Sequence, residues 1–402
     1  MNVRTVNNLL SSSYNIDEVE KIQAILTEAF DRDEKKRFQM ETVIGCGVFG
    51  LTWKIKCLPS SDPTSTGSSS EPDIRHLVLK TEATLTFGLL DRSSDSLDIF
   101  PEYDDIEPMY DRKWLKMLKW AKHVVRDMTP EDDPLAQQFL GRSLNGAEAE
   151  YWVYMEWLEN GTLGTFIDKA SESEVIQVPL PNRLLWRFFL CMTRMCIAMG
   201  WPPQQPEGDD PQPVTERAHG PAYGGLSHSD IHSGNVMLGG FMPDDPDKEH
   251  WLTPILKLID FGEMKKLEGE QKEIEKANAA NLYAIGYIML MLVKLDTQWP
   301  GHSAQPWRLD PSQPEFLTFG APLLPDVNGV DPYPTLDPNL RNLVCLCLAR
   351  ESKKRLSPSI MANVAVKCIA ERDEKYYRDR GVEGESDESI REILQEILFN
   401  AD

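Results

Sequence analysis

No uninterrupted apolar run in this 402-residue sequence approaches the roughly 18 residues needed to span a membrane, so the body is expected to be soluble, with no membrane partner. The first thirty residues, opening Met1-Asn2-Val3-Arg4, have no apolar core of signal-peptide length and soon turn acidic. Secretion is not expected. Cysteine is sparse and odd in number, seven. Cys191, Cys196, Cys345 and Cys347 sit inside apolar runs, as buried reduced thiols do, which makes cytoplasm or nucleus the expected compartment. Neither Cys345-x-Cys347 nor the scattered remainder has the spacing of a zinc site. Positive charge is also short, with 42 Lys and Arg against 64 Asp and Glu and a net charge of −22. Such a surplus disfavours nucleic acid and anionic lipid as partners and reads first as a solvated surface.

What the sequence does have is ample material for burial. The apolar fraction is 41% with ten Trp, and the length exceeds what one compact core usually holds, which predicts two domains. The richest stretch runs from Leu226 to Gly262. It places His228, Asp230 and Asn235 on a Gly-containing loop leading into apolar Val236-Met237-Leu238, and ends in a β-prone run, Ile255 to Ile259, followed by Asp260-Phe261-Gly262. Mg²⁺ takes oxygen ligands, usually one or two carboxylates alongside substrate phosphates, so Asn235 and Asp260 read as a metal pair. Asp230 is then left as a base.

In this order and spacing the residues resemble the catalytic loop of protein kinases, H-x-D-x-x-x-x-N, followed by D-F-G. Val19, Ile22, Ile25, Leu26 and Phe30 lie at helical spacing between Ile16 and Arg37, behind Asn15 as N-cap, and predict an amphipathic helix in an N-terminal extension, residues 1–40. Gly45, Gly47 and Gly50 then form G-x-G-x-x-G. A dinucleotide-binding turn would lead into a helix, whereas Leu51 to Lys56 alternates and is rich in strand formers, so a glycine hairpin over phosphates fits better. Thr52 stands where the family usually has Val. Residues 59–73 are too polar and too full of breakers to bury anything and predict a disordered insertion. Arg75 to Lys80 resembles the kinase V-A-I-K strand, which makes Lys80 the cation on the α- and β-phosphates. Its usual Glu partner has no clear counterpart: on a helix expected from about Asp111 to Met128 the position falls on Asp111, one methylene short, with Glu107 as the alternative.

Tyr151 to Leu163 resembles the kinase hinge, with Met155 as gatekeeper and the backbone of Glu156 and Leu158 on the adenine edge. A second polar insertion, residues 202–225, reads as a surface excursion. After Gly262 the pattern departs from the family. Only about twenty residues separate Asp260 from Asn281, which stands where Asp is usual at the start of the next helix, and A-P-E is absent. Arg355 matches a family Arg whose customary Glu partner belonged to that missing motif.

The resemblance covers about Thr42 to Ala370. It implies an α+β, two-lobed protein kinase-like fold, a small antiparallel β lobe over residues 41–157 and a larger, mainly α-helical lobe over residues 158–402. It also implies ATP between the lobes, Mg²⁺ on Asn235 and Asp260, charge neutralisation by Lys80 and Asp230 as base toward the acceptor hydroxyl. Ser229 replaces the Arg of H-R-D, so activation by loop phosphorylation is not expected. His232 stands where protein kinases carry Lys, as in small-molecule kinases of the same fold, and is expected to donate to the γ-phosphate. Three readings follow: a Ser/Thr-type protein kinase acting on an unidentified protein substrate, a kinase-fold enzyme acting on a small molecule, and an ATP-binding scaffold without turnover.

Overall fold

The computed structural model describes residues 15–47, 50–58, 75–82, 110–140, 151–208, 211–298, 301 and 303–400. The insertion expected at residues 59–73 and the alternative Lys80 partner Glu107 lie outside them. The chain is α+β, with a small antiparallel sheet and several helices. It divides into two compact units, residues 1–116 with 126–157, and residues 117–125 with 158–402.

Unit 1 is built on a four-stranded antiparallel sheet in the order β1 (Phe38–Gly47), β2 (Gly50–Cys57), β3 (Arg75–Glu82), β4 (Trp152–Glu156). Leu51, Trp53 and Ile55 are wholly buried and alternate with less buried Thr52, Lys54 and Lys56, the period-two pattern that puts one face of a strand on a core. That core is closed by α1 (Ile16–Asp31), whose Val19, Ile22, Leu26, Ala29 and Phe30 form one stripe against the sheet cluster. Asn15 caps α1 in a reciprocal capping box with Glu18. The helix stops at Asp31 rather than near Arg37: Asp33 takes the backbone N–H groups of Lys35 and Arg37 and the Arg37 guanidinium, a local network that replaces another turn. Among the described residues the unit also holds α2 (Tyr110–Met117), whose last residue falls in unit 2, and α3 (Pro134–Leu140). Ahead of α3, buried Asp133 accepts from Trp152 Nε1 at 2.6 Å and Tyr154 Oη at 2.9 Å; burial still pushes its carboxyl up.

The helix predicted as far as Met128 ends at Met117. Apolar Val124 and Val125 are buried by strand-like pairing instead: Leu258 N donates to His123 O at 2.9 Å and Val125 N to Leu258 O at 3.1 Å. A short apolar run satisfies either geometry, and here the neighbouring strand takes it.

Unit 2 contains α4 (Leu163–Glu172), α5 (Asn182–Gly200), β5 (Leu226–Ser227), β6 (Val236–Leu238), β7 (Leu256–Leu258), β8 (Lys265–Lys266) and α6 (Gln271–Lys294). Its C-terminal part adds β9 (Gln305–Trp307), β10 (Phe316–Thr318), α7 (Pro338–Cys347), α8 (Pro358–Glu371), α9 (Glu374–Arg378) and α10 (Asp387–Gln395). Nearly every residue of α5 is buried, which makes it the unit's central helix, packed on α6 and α8. By length and hydropathy α6 is apolar enough to cross a membrane, but 67% of that window is buried inside the protein, as in a core helix. It begins at Gln271, ten residues before Asn281 where the sequence placed it.

The polar insertion at 202–225 is more than a surface excursion. Val214 pairs with the chain at Trp120 and Lys122, and Glu216 is wholly buried, bonding both the backbone N–H of His123 at 2.7 Å and its Nδ1 at 2.6 Å. Burial opposes the imidazolium, yet the Glu216 carboxylate and the Cys191 side chain together outweigh it and raise His123 to about 9. All seven cysteines are free thiols, and burial pushes Cys345 and Cys347 up to about 12.

Candidate functional site

In unit 2 the loop between β5 and β6 is held from below by buried groups. His228 is wholly buried; its backbone N–H donates to Asn281 Oδ1 at 3.1 Å, while Asn281 Nδ2 donates to Leu226 O at 2.8 Å. The His228 ring lies 3.1 Å, through Nε2, from Ile259 O, and packs edge-on against buried Phe261 at 5.2 Å between centroids. Ser229 follows with φ 66°, a left-handed turn that brings Asp230 out to solvent. A short 3₁₀ turn, Ser233–Asn235, returns the chain to β6, which pairs with β7 in register Val236↔Leu258.

Within this loop Asn235 Nδ2 donates to both Asp230 O and Asp230 Oδ2 at 3.0 Å. Spending the amide hydrogens on Asp230 turns Asn235 Oδ1 away as the oxygen it can offer a cation. Ile259 N donates to Asn235 O at 3.0 Å, which ties the end of β7 to the same residue, and Asp260 comes next, half-buried with φ 61°. A non-Gly residue held at positive φ costs roughly 1 kcal/mol or more and persists where the surroundings enforce it. An amide oxygen and a carboxylate are hard donors and fit Mg²⁺. His232 caps the 3₁₀ turn by accepting from Gly234 N at Nδ1, 3.1 Å, so a neutral ring keeps its hydrogen on Nε2, 3.6 Å from Asp230 Oδ2.

In unit 1 the glycine positions occupy an antiparallel hairpin. Gly45 pairs with Thr52 and Gly47 with Gly50 across β1 and β2; the tip, residues 48–49, lies outside the described residues. Gly50 has φ 133°, a conformation closed to residues with a Cβ, and a Cβ on Gly45 would meet Thr52 Cβ at 3.3 Å. Thr52 in turn pairs with Lys80 on β3. The Lys80 partner left open by the sequence is Asp111: Nζ to Oδ2 is 2.7 Å, with side-chain exposures of 11% and 4%. The shorter acid reaches because α2 brings its first turn to the strand. Met155 is buried on β4 opposite Val78, and Glu156 is committed twice to Arg126, through its N–H to Arg126 O and its Oε1 from Arg126 N. Glu156 also pairs with Leu77 across β3 and β4. Leu158 begins the second segment of unit 2 and is buried.

Two sets of contacts differ from what the sequence predicts. Asn281 stands where the family has Asp, and its amide both accepts and donates beneath the loop, a task a carboxylate cannot share. Arg355, whose acidic partner is missing, is held instead by Ala349 O and Ala279 O at 2.9–3.0 Å and stacks over Tyr283 at 4.4 Å. Neither arrangement has a local sequence signal, since each joins distant segments. No family model matches the chain, and no curated protein matches it in sequence.

Proposed function

We propose that this protein is an ATP-dependent phosphotransferase of the protein kinase-like, two-lobed fold, with a Ser/Thr hydroxyl of a protein substrate as acceptor. The observation that carries the reading is the bond from Asn235 Nδ2 to the Asp230 carboxylate, with Asp260 secured one residue beyond the Ile259–Asn235 hydrogen bond. Unit 1 supplies the phosphate elements, the glycine hairpin and Lys80 fixed by Asp111. Unit 2 supplies the acceptor base, Asp230, and the oxygens of Asn235 and Asp260 that would hold Mg²⁺. The metal, when bound, neutralises charge on the transferring phosphoryl group. Asp230 orients the acceptor hydroxyl and accepts its proton, while His232 Nε2–H can donate to an incoming phosphoryl oxygen.

A second acceptor class, a small alcohol, is favoured by one feature. After Asp260-Phe261-Gly262 the chain forms only the two-residue strand β8 before α6 starts at Gln271, and Arg355 anchors on carbonyls rather than on a peptide-docking segment. Labelled γ-phosphate transfer, run on a protein and peptide panel beside a small-alcohol panel, separates the two acceptors. A thermal-shift titration with MgATP tests the nucleotide site itself, since a ligand specific for the native state raises Tm. No shift at saturating MgATP would overturn the proposal, and a shift without transfer to any acceptor would leave only the scaffold.

A further inference from the structure

We propose that His123, His250 and Cys191 form a buried binding site for a divalent transition-metal ion, with zinc the ion that their donors favour and Glu216 the residue that positions His123. One donor atom from each of the three lies within 4.8 Å of the others, and all three residues are buried in unit 2. They come from segments far apart in sequence: the stretch after α2, the middle of α5 and the loop between β6 and β7. This is why Cys spacing alone gave no zinc signal.

The geometry is close to what the ion needs. Zinc bonds of about 2.0–2.3 Å in a tetrahedral arrangement put neighbouring donors roughly 3.3–3.7 Å apart. Cys191 Sγ and His250 Nδ1 are already 3.8 Å apart, and no pair of the three donors is separated by more than 4.8 Å. His123 is prepared as ligating histidines usually are: Nδ1 is held by the Glu216 carboxylate at 2.6 Å, which fixes the ring and leaves Nε2 for a metal. That Nε2 is buried with no hydrogen-bond partner. An orphaned imidazole nitrogen in a dry interior is costly and asks for a ligand, and His250 presents Nδ1 toward the same cluster.

Charge can be accommodated. Lys122 and Arg194 are neutralised by Asp245 and Glu249, Arg187 is bonded to the backbone carbonyls of Lys248 and Glu249, and Glu216 with a Cys191 thiolate supplies the negative charge beside a dication. Burial, reinforced by His123, Lys122, Arg187 and Arg194, holds His250 well below its ordinary value and hence neutral, the form that ligates. Binding displaces the Nε2 proton of His123 and the thiol proton of Cys191, both released to solvent. Lys122 and Glu216, the neighbours of His123, also line a cleft of about 680 Å³ beside Trp201 and Thr215.

The test uses the full chain, stripped with a chelator and titrated with Co²⁺ and with Zn²⁺. The expected result is about one tightly bound ion per chain and, for cobalt, a thiolate-to-metal absorption band that zinc displaces. Cys191→Ser should lose the band, Glu216→Gln should weaken affinity by about 10–100-fold, and Asp260→Ala should leave the band unchanged, which separates this site from the proposed Mg²⁺ position. Circular dichroism of each variant shows whether the fold survives. Absence of the band in folded wild-type protein, or its persistence in Cys191→Ser, overturns the proposal.

Discussion

Asn235 donates from one amide nitrogen to two oxygens of Asp230, the backbone carbonyl and the carboxylate, each at 3.0 Å. The bond fixes the direction of an exposed carboxylate without burying it, which suits a group that must meet a substrate hydroxyl. Asp230→Asn should therefore abolish transfer by a factor of about 10²–10⁴ while leaving the MgATP dissociation constant nearly unchanged. Asp260→Ala should lose turnover and also the Mg²⁺ dependence of binding. Single-turnover kinetics beside calorimetric titration distinguish the two. Full activity in Asp230→Asn would show that the base lies elsewhere.

Lys80 and Asp111 give a test within unit 1. Removing one partner of a buried ion pair leaves an uncompensated charge and costs about 3–5 kcal/mol. Asp111→Ala should accordingly destabilise more than the double replacement Lys80→Met with Asp111→Leu, in which no charge is stranded. Lys80→Ala should diminish the thermal shift produced by MgATP. Urea unfolding of the three variants gives the order, and an equal loss in all of them would mean that the pair makes no net electrostatic contribution.

How much of this was legible in the sequence depended on separation along the chain. The alternation of Leu51, Trp53 and Ile55 and the helical spacing of Val19, Ile22 and Leu26 are local, and the α+β class with its small antiparallel sheet can be read from them. The true end of α2 was not legible, because Val124 and Val125 satisfy a helical period as well as they satisfy pairing with Leu258. The reach of Asp111 to Lys80 depends on where a helix begins, not on the length of one side chain. Glu216 lies 93 residues from His123, inside a stretch whose Pro, Gly and Asp content argued for solvent. Composition cannot reveal that one carboxylate in such a stretch turns inward to meet a histidine.

Asn281 offers a sharper substitution test than most buried positions. It accepts from His228 N and donates to Leu226 O, so Asn281→Asp keeps the first bond and sets a carboxylate oxygen against a carbonyl oxygen in place of the second. An unsatisfied buried carbonyl facing a charge should cost about 1–3 kcal/mol and displace the Asp230 loop. The expected outcome is a lower Tm together with a fall in turnover that exceeds any loss of MgATP affinity. Asn281→Asp protein with wild-type Tm and turnover would show that the clamp has no role.

Asp337 makes a pH-dependent contribution whose sign can be worked out. Its carboxylate caps α7 through Asn339 N at 2.9 Å, accepts from Tyr377 Oη at 2.8 Å and Trp186 Nε1 at 3.3 Å, and pairs with Arg372. Burial raises the group, but the hydrogen bonds and charge of Arg372, with the Tyr377 bond, outweigh it and hold the folded value below the ordinary 3.8. A depressed folded value means stability that is complete above the unfolded pKa and lost as pH falls through the folded one. Asp337→Asn keeps the shape and removes the charge, so it should cost about 3–5 kcal/mol near neutrality by stranding Arg372. That difference from wild type should narrow steadily below about pH 4 as the wild-type carboxylate is protonated. Chemical unfolding of both proteins across this range gives the curve, and a difference that stayed constant into acid would show that the bonds to Asp337, rather than its charge, carry the stability.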